Sequence, residues 1–97
     1  MATYTSTALG AQNTYHEEDV ECGYVIGFLA GTLNAATTVV IERSYDDGVN
    51  WIRDPITYVG NVSRDFVGYT PVPCKVRVGI PTGSYGSGAG TGFSYTS

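Results

Sequence analysis

The sequence predicts an all-β fold, a small antiparallel β-sandwich of about seven short strands in one domain spanning residues 1–97. Three observations predict it. β-branched and aromatic residues dominate, with eight Tyr, three Phe and one Trp in 97 residues. Thirteen Gly and four Pro interrupt the chain at short intervals. No window repeats apolar residues at the i, i+3, i+4, i+7 spacing of an amphipathic helix. A chain of this length supports a single core, which excludes a two-domain reading. Pattern alone does not separate an immunoglobulin-like from a jelly-roll topology.

The elements follow in order. Residues 1–12 are small, Thr-rich and uncharged, which suits an edge strand or an N-terminal arm reaching onto a neighbour. Glu21–Ala30 is apolar on both alternations, with Cys22, Tyr24, Ile26 and Phe28 on one face and Val25 and Leu29 on the other. Such a strand is central or covered by a partner. After the turn at residues 31–35, Thr37–Tyr45 points Val39 and Ile41 one way and Val40 and Glu42 the other. Asp46-Asp47-Gly48 makes a tight turn, and Val49–Arg53 returns as the hairpin partner. Ile56–Val59 and a weaker Ser63–Tyr69 flank a Gly60-Asn61 turn, and Pro71 and Pro73 bracket the next connection because neither can donate to a ladder. Cys74–Ile80 alternates cleanly, Cys74, Val76, Val78 and Ile80 inward against Lys75, Arg77 and Gly79 outward. Gly83–Gly92 reads as a flexible Gly/Ser loop and Phe93–Thr96 as a short closing strand.

Composition narrows the function. Charged residues make up 14% of the chain, against about 25% in an ordinary globular domain, so Thr, Ser, Asn, Gly and Tyr supply much of the surface. Uncharged polar groups lose less on desolvation than charges do, which suits a surface that lies against other proteins. A net charge of −4 with five scattered Lys and Arg argues against nucleic acid, whose phosphates call for clustered cations. No segment pairs a basic n-region with an apolar core, and Gly23–Ala30 is too short to cross a bilayer, so neither a targeting signal nor a membrane span is expected.

Candidate chemistry is thin. His16 is the sole imidazole, no GxSxG setting exists, and any carboxylate pair drawn from Glu42, Asp54, Asp65 and the acidic cluster Glu17, Glu18, Asp19 and Glu21 would be arbitrary, so no catalytic residue is assigned. Cys22 and Cys74 lack CxxC spacing and exclude a zinc site; both sit in apolar runs that suit buried thiols, with a disulfide between them left open. Glu17, Glu18, Asp19 and Glu21 would alternate across a strand, which reads as a solvated acidic edge or docking patch in place of a Ca²⁺ loop. The Gly-rich stretch lacks the Lys-Ser/Thr ending of a phosphate cradle. No cofactor and no metal are expected.

One motif is sharp. Ser44-Tyr45-Asp46-Asp47-Gly48-Val49-Asn50-Trp51 has the spacing S-x-D-x-G-x-x-W and resembles the Asp-box hairpin of sialidase propeller blades. Ser44 and Asp46 can accept backbone N–H bonds within the turn, Gly48 supplies positive φ, and Trp51 is expected to bury its ring beneath the hairpin. The motif is a folding device without chemistry of its own. The several copies and the arginine cluster that a sialidase needs are absent from the sequence.

A broader resemblance covers about two-thirds of the chain. The run Gly31–Trp51, in which a G-T-x-x-x-A turn feeds a strand ending at Arg43-Ser44 and the hairpin, is followed by Lys75-Val76-Arg77-Val78, a Gly/Ser/Thr-rich stretch and a last aromatic strand. This order resembles small structural proteins of tailed bacteriophages; residues 1–21 depart from it. The resemblance implies a non-enzymatic virion protein made in the host cytoplasm. The implied role is a capsid decoration or cement protein bound to the major capsid protein in many copies or as a homo-oligomer, or else a neck or tail component. Eight tyrosines keep a rival reading open, a small carbohydrate-binding module, since stiff amphipathic rings serve sugars and proteins alike. Tyr4, Tyr15 and Tyr85 are the expected assembly contacts.

Overall fold

The computed structural model describes residues 3–96. Seven strands form: β1 (Thr3–Leu9), β2 (Thr14–Leu29), β3 (Thr38–Ser44), β4 (Ile52–Arg53), β5 (Tyr58–Val59), β6 (Arg64–Ile80) and β7 (Gly90–Thr96). They join in one antiparallel sheet of order β1-β7-β2-β6-β3-β4, with β5 pairing β3. The all-β expectation holds, but two strands are long: β2 has 16 residues and β6 has 17.

The long pair makes the sandwich by bending. Between Val20↔Cys74 and Cys22↔Thr70 the register jumps, leaving Pro71, Val72 and Pro73 opposite the single residue Glu21. The prolines lack the N–H that the ladder requires, so pairing lapses there and resumes beyond. Ser63–Tyr69 and Cys74–Ile80, expected as separate strands, are therefore the two arms of β6. The outer half of β2 with the end of β6, β3 and β4 forms one layer; the inner half of β2 with the start of β6, β7 and β1 forms the other. Between the layers lie Leu9, Val20, Tyr24, Ile26, Phe28, Leu33, Val39, Ile41, Cys74, Val76, Val78 and Ile80. The alternation read for Cys74–Ile80 stands, since all four predicted inward residues are buried.

Three local readings change. Cys22 was expected inward beside Tyr24, yet its φ of 55° at the register jump turns the thiol outward, and it is exposed while Cys74 is buried. Both thiols are free. Residues 83–92 are knitted to the turn at 31–38 and do not form a flexible loop. Thr32 N–H donates to the Ala89 carbonyl (2.8 Å), Ala89 N–H to Thr32 Oγ1 (2.9 Å), Gly86 N–H to Thr37 Oγ1 (2.9 Å) and Thr38 N–H to the Ser84 carbonyl (2.8 Å). Glycine permits this clasp: a Cβ on Gly88, at φ +91°, would stand 1.8 Å from the Thr32 carbonyl oxygen. Finally, of the N-terminal segment 1–12, Thr3–Leu9 is an edge strand, paired to β7 from Thr3↔Thr96 to Leu9↔Gly90, and residues 1 and 2 lie outside the described residues.

Candidate interaction face

The hairpin forms as the motif demands. Ser44 Oγ donates to Asp46 Oδ1 (2.8 Å) and accepts Gly48 N–H (2.8 Å), while Asn50 donates its N–H to Asp46 Oδ1 (2.8 Å) and its side-chain amide to Oδ2 (2.7 Å). These donors, the Asn50 backbone first, hold the Asp46 carboxyl down at about 2. Gly48 has φ +86°, and Asp47 joins it in the left-handed region at 61°.

Trp51 meets expectation in part, its ring lying against Gly48 of the turn without being fully buried. Its ring is half-buried and lies over the Arg77 guanidinium, 4.0 Å from Cζ to centroid, because the hairpin packs on the outer face of its layer instead of the apolar interior. Tyr15 covers the other side of Arg77 at 3.9 Å. Between the rings Arg77 donates to Glu42 Oε1 (2.8 Å), and Arg53 Nε donates to Oε2 (3.1 Å). Burial, then the nearby Glu42 charge, raises the Tyr15 phenol. One step along, Lys75 Nζ meets Asp19 (2.8 Å), Asp47 (3.6 Å) and Glu17 (4.0 Å), and the Asp19 bond chiefly raises its pKa. This outer face is thus a ladder of paired charges.

The acidic run is split by strand alternation. Glu17 and Asp19 join that ladder, whereas Glu18 turns inward, where its Oε2 accepts from Thr5 Oγ1 (2.7 Å) and Ser94 Oγ (3.2 Å). Beside it His16 is 3% exposed, with Nε2 2.8 Å from Ser94 Oγ and Nδ1 2.9 Å from Thr7 Oγ1. Burial lowers the His16 pKa against an opposing pull from Glu18. Sequence reasoning missed this cluster; its trace is the alternation of His16 with Glu18 and of Thr5 with Thr7. Ser94 is 1% exposed and sealed between the layers, so the Ser-His-Glu grouping presents no nucleophile to a substrate. Among the described residues no three His, Cys, Asp or Glu side chains gather as metal ligands would.

The outer face of the other layer is different. The registers align Tyr4, Tyr95, Val25 and Val67 in one row across four strands, with Phe93 opposite Gly27 and Tyr69 opposite Gly23 in the flanking rows. Val67 is 85% exposed and Tyr69 74%, and Tyr4 and Tyr95 are nearly half exposed. Phe93 is covered because it lies across Gly27, where a Cβ would meet its ring at 2.9 Å, and under Tyr4 at 6.1 Å. Tyr4 and Tyr95 sit 4.9 Å apart, inclined by 52°. Asp65, at one corner, is the charge on these rows.

Of the three expected contact tyrosines, only Tyr4 lies on this face. Tyr15 is committed to Arg77. Tyr85 packs against the core and donates its hydroxyl to the Gly88 carbonyl (2.8 Å), so it fastens the clasp. Tyr69, Tyr95 and Val67 were not singled out from sequence, although alternation within Ser63–Tyr69 places Val67 and Tyr69 on one side. No protein-family model, curated protein or solved structure matches the chain.

Proposed function

We propose that this chain is a non-enzymatic assembly protein of a tailed-bacteriophage virion that docks on the assembled capsid shell and stabilises it. The observation that carries the reading is the Tyr4–Tyr95–Val25–Val67 row with Tyr69, an unpartnered sheet face that is almost free of charge. Contiguous exposed apolar surface of this kind marks protein interaction sites. Its aromatics have the stiffness and mixed polarity of interface anchors. The virion assignment comes from the resemblance of Gly31–Trp51 and Lys75–Val78 to small phage structural proteins. Stabilisation works by mass action, since a protein that binds only the assembled shell lowers its free energy by RT ln(1 + [L]/Kd) at each site. Against a carbohydrate platform stands the 52° inclination of Tyr4 to Tyr95, since sugar rings stack on coplanar aromatics.

Co-sedimentation with purified capsid shells tests the reading. Wild type should travel with shells, and Val67→Glu combined with Tyr69→Glu should not, with the same far-UV circular dichroism. Binding to isolated tails and not to shells would move the protein to the neck or tail. Retention on a polysaccharide column without shell binding would sink the proposal.

A further inference from the structure

We infer that the free edge of β1 is a self-association site, through which a second copy of this chain adds antiparallel to Thr3–Leu9. The open edges are built differently: the Arg64–Thr70 arm of β6, paired only to β2, carries Arg64 and Asp65, and the two end strands of the sheet contrast with each other. At one end, β4 has only two residues and Pro55 follows it closely, which blunts the edge. At the other, β1 pairs on one side only, runs seven residues without a register break, and contains no proline or charge. Edges left in that state are templates for strand addition.

Charge placement selects a second copy as the occupant. The chain is net −4, so most ways of joining two copies bring carboxylates together. Lys75, Arg77 and Arg53 with their acidic partners lie on the far layer. Neither β1 nor its neighbour β7 carries a charge, and Glu18, the nearest carboxylate bonded to β1, is turned inward to Thr5 and Ser94. Two copies can therefore meet at β1 without like-charge repulsion.

The symmetry is simple. A two-fold axis at Ser6, the midpoint of β1, pairs all seven residues, placing Ser6 opposite Ser6 and Tyr4 opposite Ala8 of the second copy. The four strands of this layer then continue into four more, and the rows from Tyr4 to Val67 of both copies share one broad face. A two-fold contact uses the β1 edge of both copies, so association through this edge closes at the dimer. Seven residues a side is well below the roughly 20–30 of a standard interface, so dissociation in the micromolar range is expected.

Sedimentation equilibrium of the full chain, from about one to several hundred micromolar, tests this. Wild type should convert from monomer to dimer as concentration rises. Ser6 is exposed, so Ser6→Lys should keep the urea midpoint while weakening association at least about tenfold, by setting two ammonium groups across the axis. Ser6→Asp should behave alike, and an equimolar mixture of the two variants should recover a dimer. A wild type that stays monomeric, a dimer indifferent to Ser6→Lys, or a mixture that fails to associate would each overturn the inference. Shell binding is a separate readout: a monomer that still co-sediments with shells spares the proposed function, and a dimer that ignores shells spares this inference.

Discussion

Removing Arg77 should destabilise the fold far more than removing Arg53, although both guanidiniums contact the same carboxylate. The Glu42 side chain is 6% exposed, Arg77 20% and Arg53 49%. Stripping one partner from a fully buried ion pair costs about 3–5 kcal/mol. Arg53 survives in an Arg77→Ala chain and a fifth of Arg77 is solvated, so the cost falls below that range, to about 2–3 kcal/mol. Arg77 also loses its contacts with Tyr15 and Trp51, about 0.5–1 kcal/mol each. The expected loss is thus about 3–5 kcal/mol, a large part of the ~5–15 kcal/mol available to a domain. Arg53→Ala, at a half-exposed pair, should lose less than about 1 kcal/mol. Urea denaturation monitored by Trp51 fluorescence measures both, and the Tm of Arg77→Ala should fall by about 15 °C or more. Arg77→Lys should recover only part of the loss, because an ammonium cannot lie flat between two rings while bonding Glu42. Losses for Arg77→Ala and Arg53→Ala within 1 kcal/mol of each other would refute the view that Glu42 is held by a stacked, buried arginine.

Three further outcomes are expected. His16 has its folded pKa lowered from the ordinary 6.5, so the unfolded chain takes up the proton first; stability is fully present above pH 6.5 and declines as pH falls below it, a slope that His16→Gln should remove in urea titrations at stepped pH. Gly88→Ala should destabilise by about 2–4 kcal/mol and speed amide exchange at Thr32 and Ala89, since the new Cβ would collide with the Thr32 carbonyl; unchanged exchange would mean that the clasp is not tight. Cys22→Gly should stabilise the fold by up to about 1 kcal/mol and so raise the urea midpoint, because glycine adopts φ 55° without the crowding an L side chain meets; a lower midpoint would show that the thiol's contacts outweigh that relief.

The sequence by itself determined the all-β class, the inward face of Cys74–Ile80 and the hairpin from Ser44 to Asn50. Each rests on neighbours a few residues apart: the two-residue period of a strand, and side chains that bond their own turn. It also marked Pro71 and Pro73 as a break in pairing, which is a local property of the imino acid. Tertiary structure decided what that break does. Whether a strand ends or bends at Pro71–Pro73 depends on whether β2 offers partners on both sides, and those partners lie about fifty residues away, Val20 against Cys74 and Cys22 against Thr70. The same long-range pairing turned Cys22 outward, gave Trp51 an arginine in place of an apolar pocket, and clasped residues 83–92 to the turn at 31–38. The candidate face was legible only in fragments, Val25 in one strand and Val67 and Tyr69 in another. That Tyr4, Tyr95, Val25 and Val67 form one row is a matter of register between four strands, which no local pattern encodes.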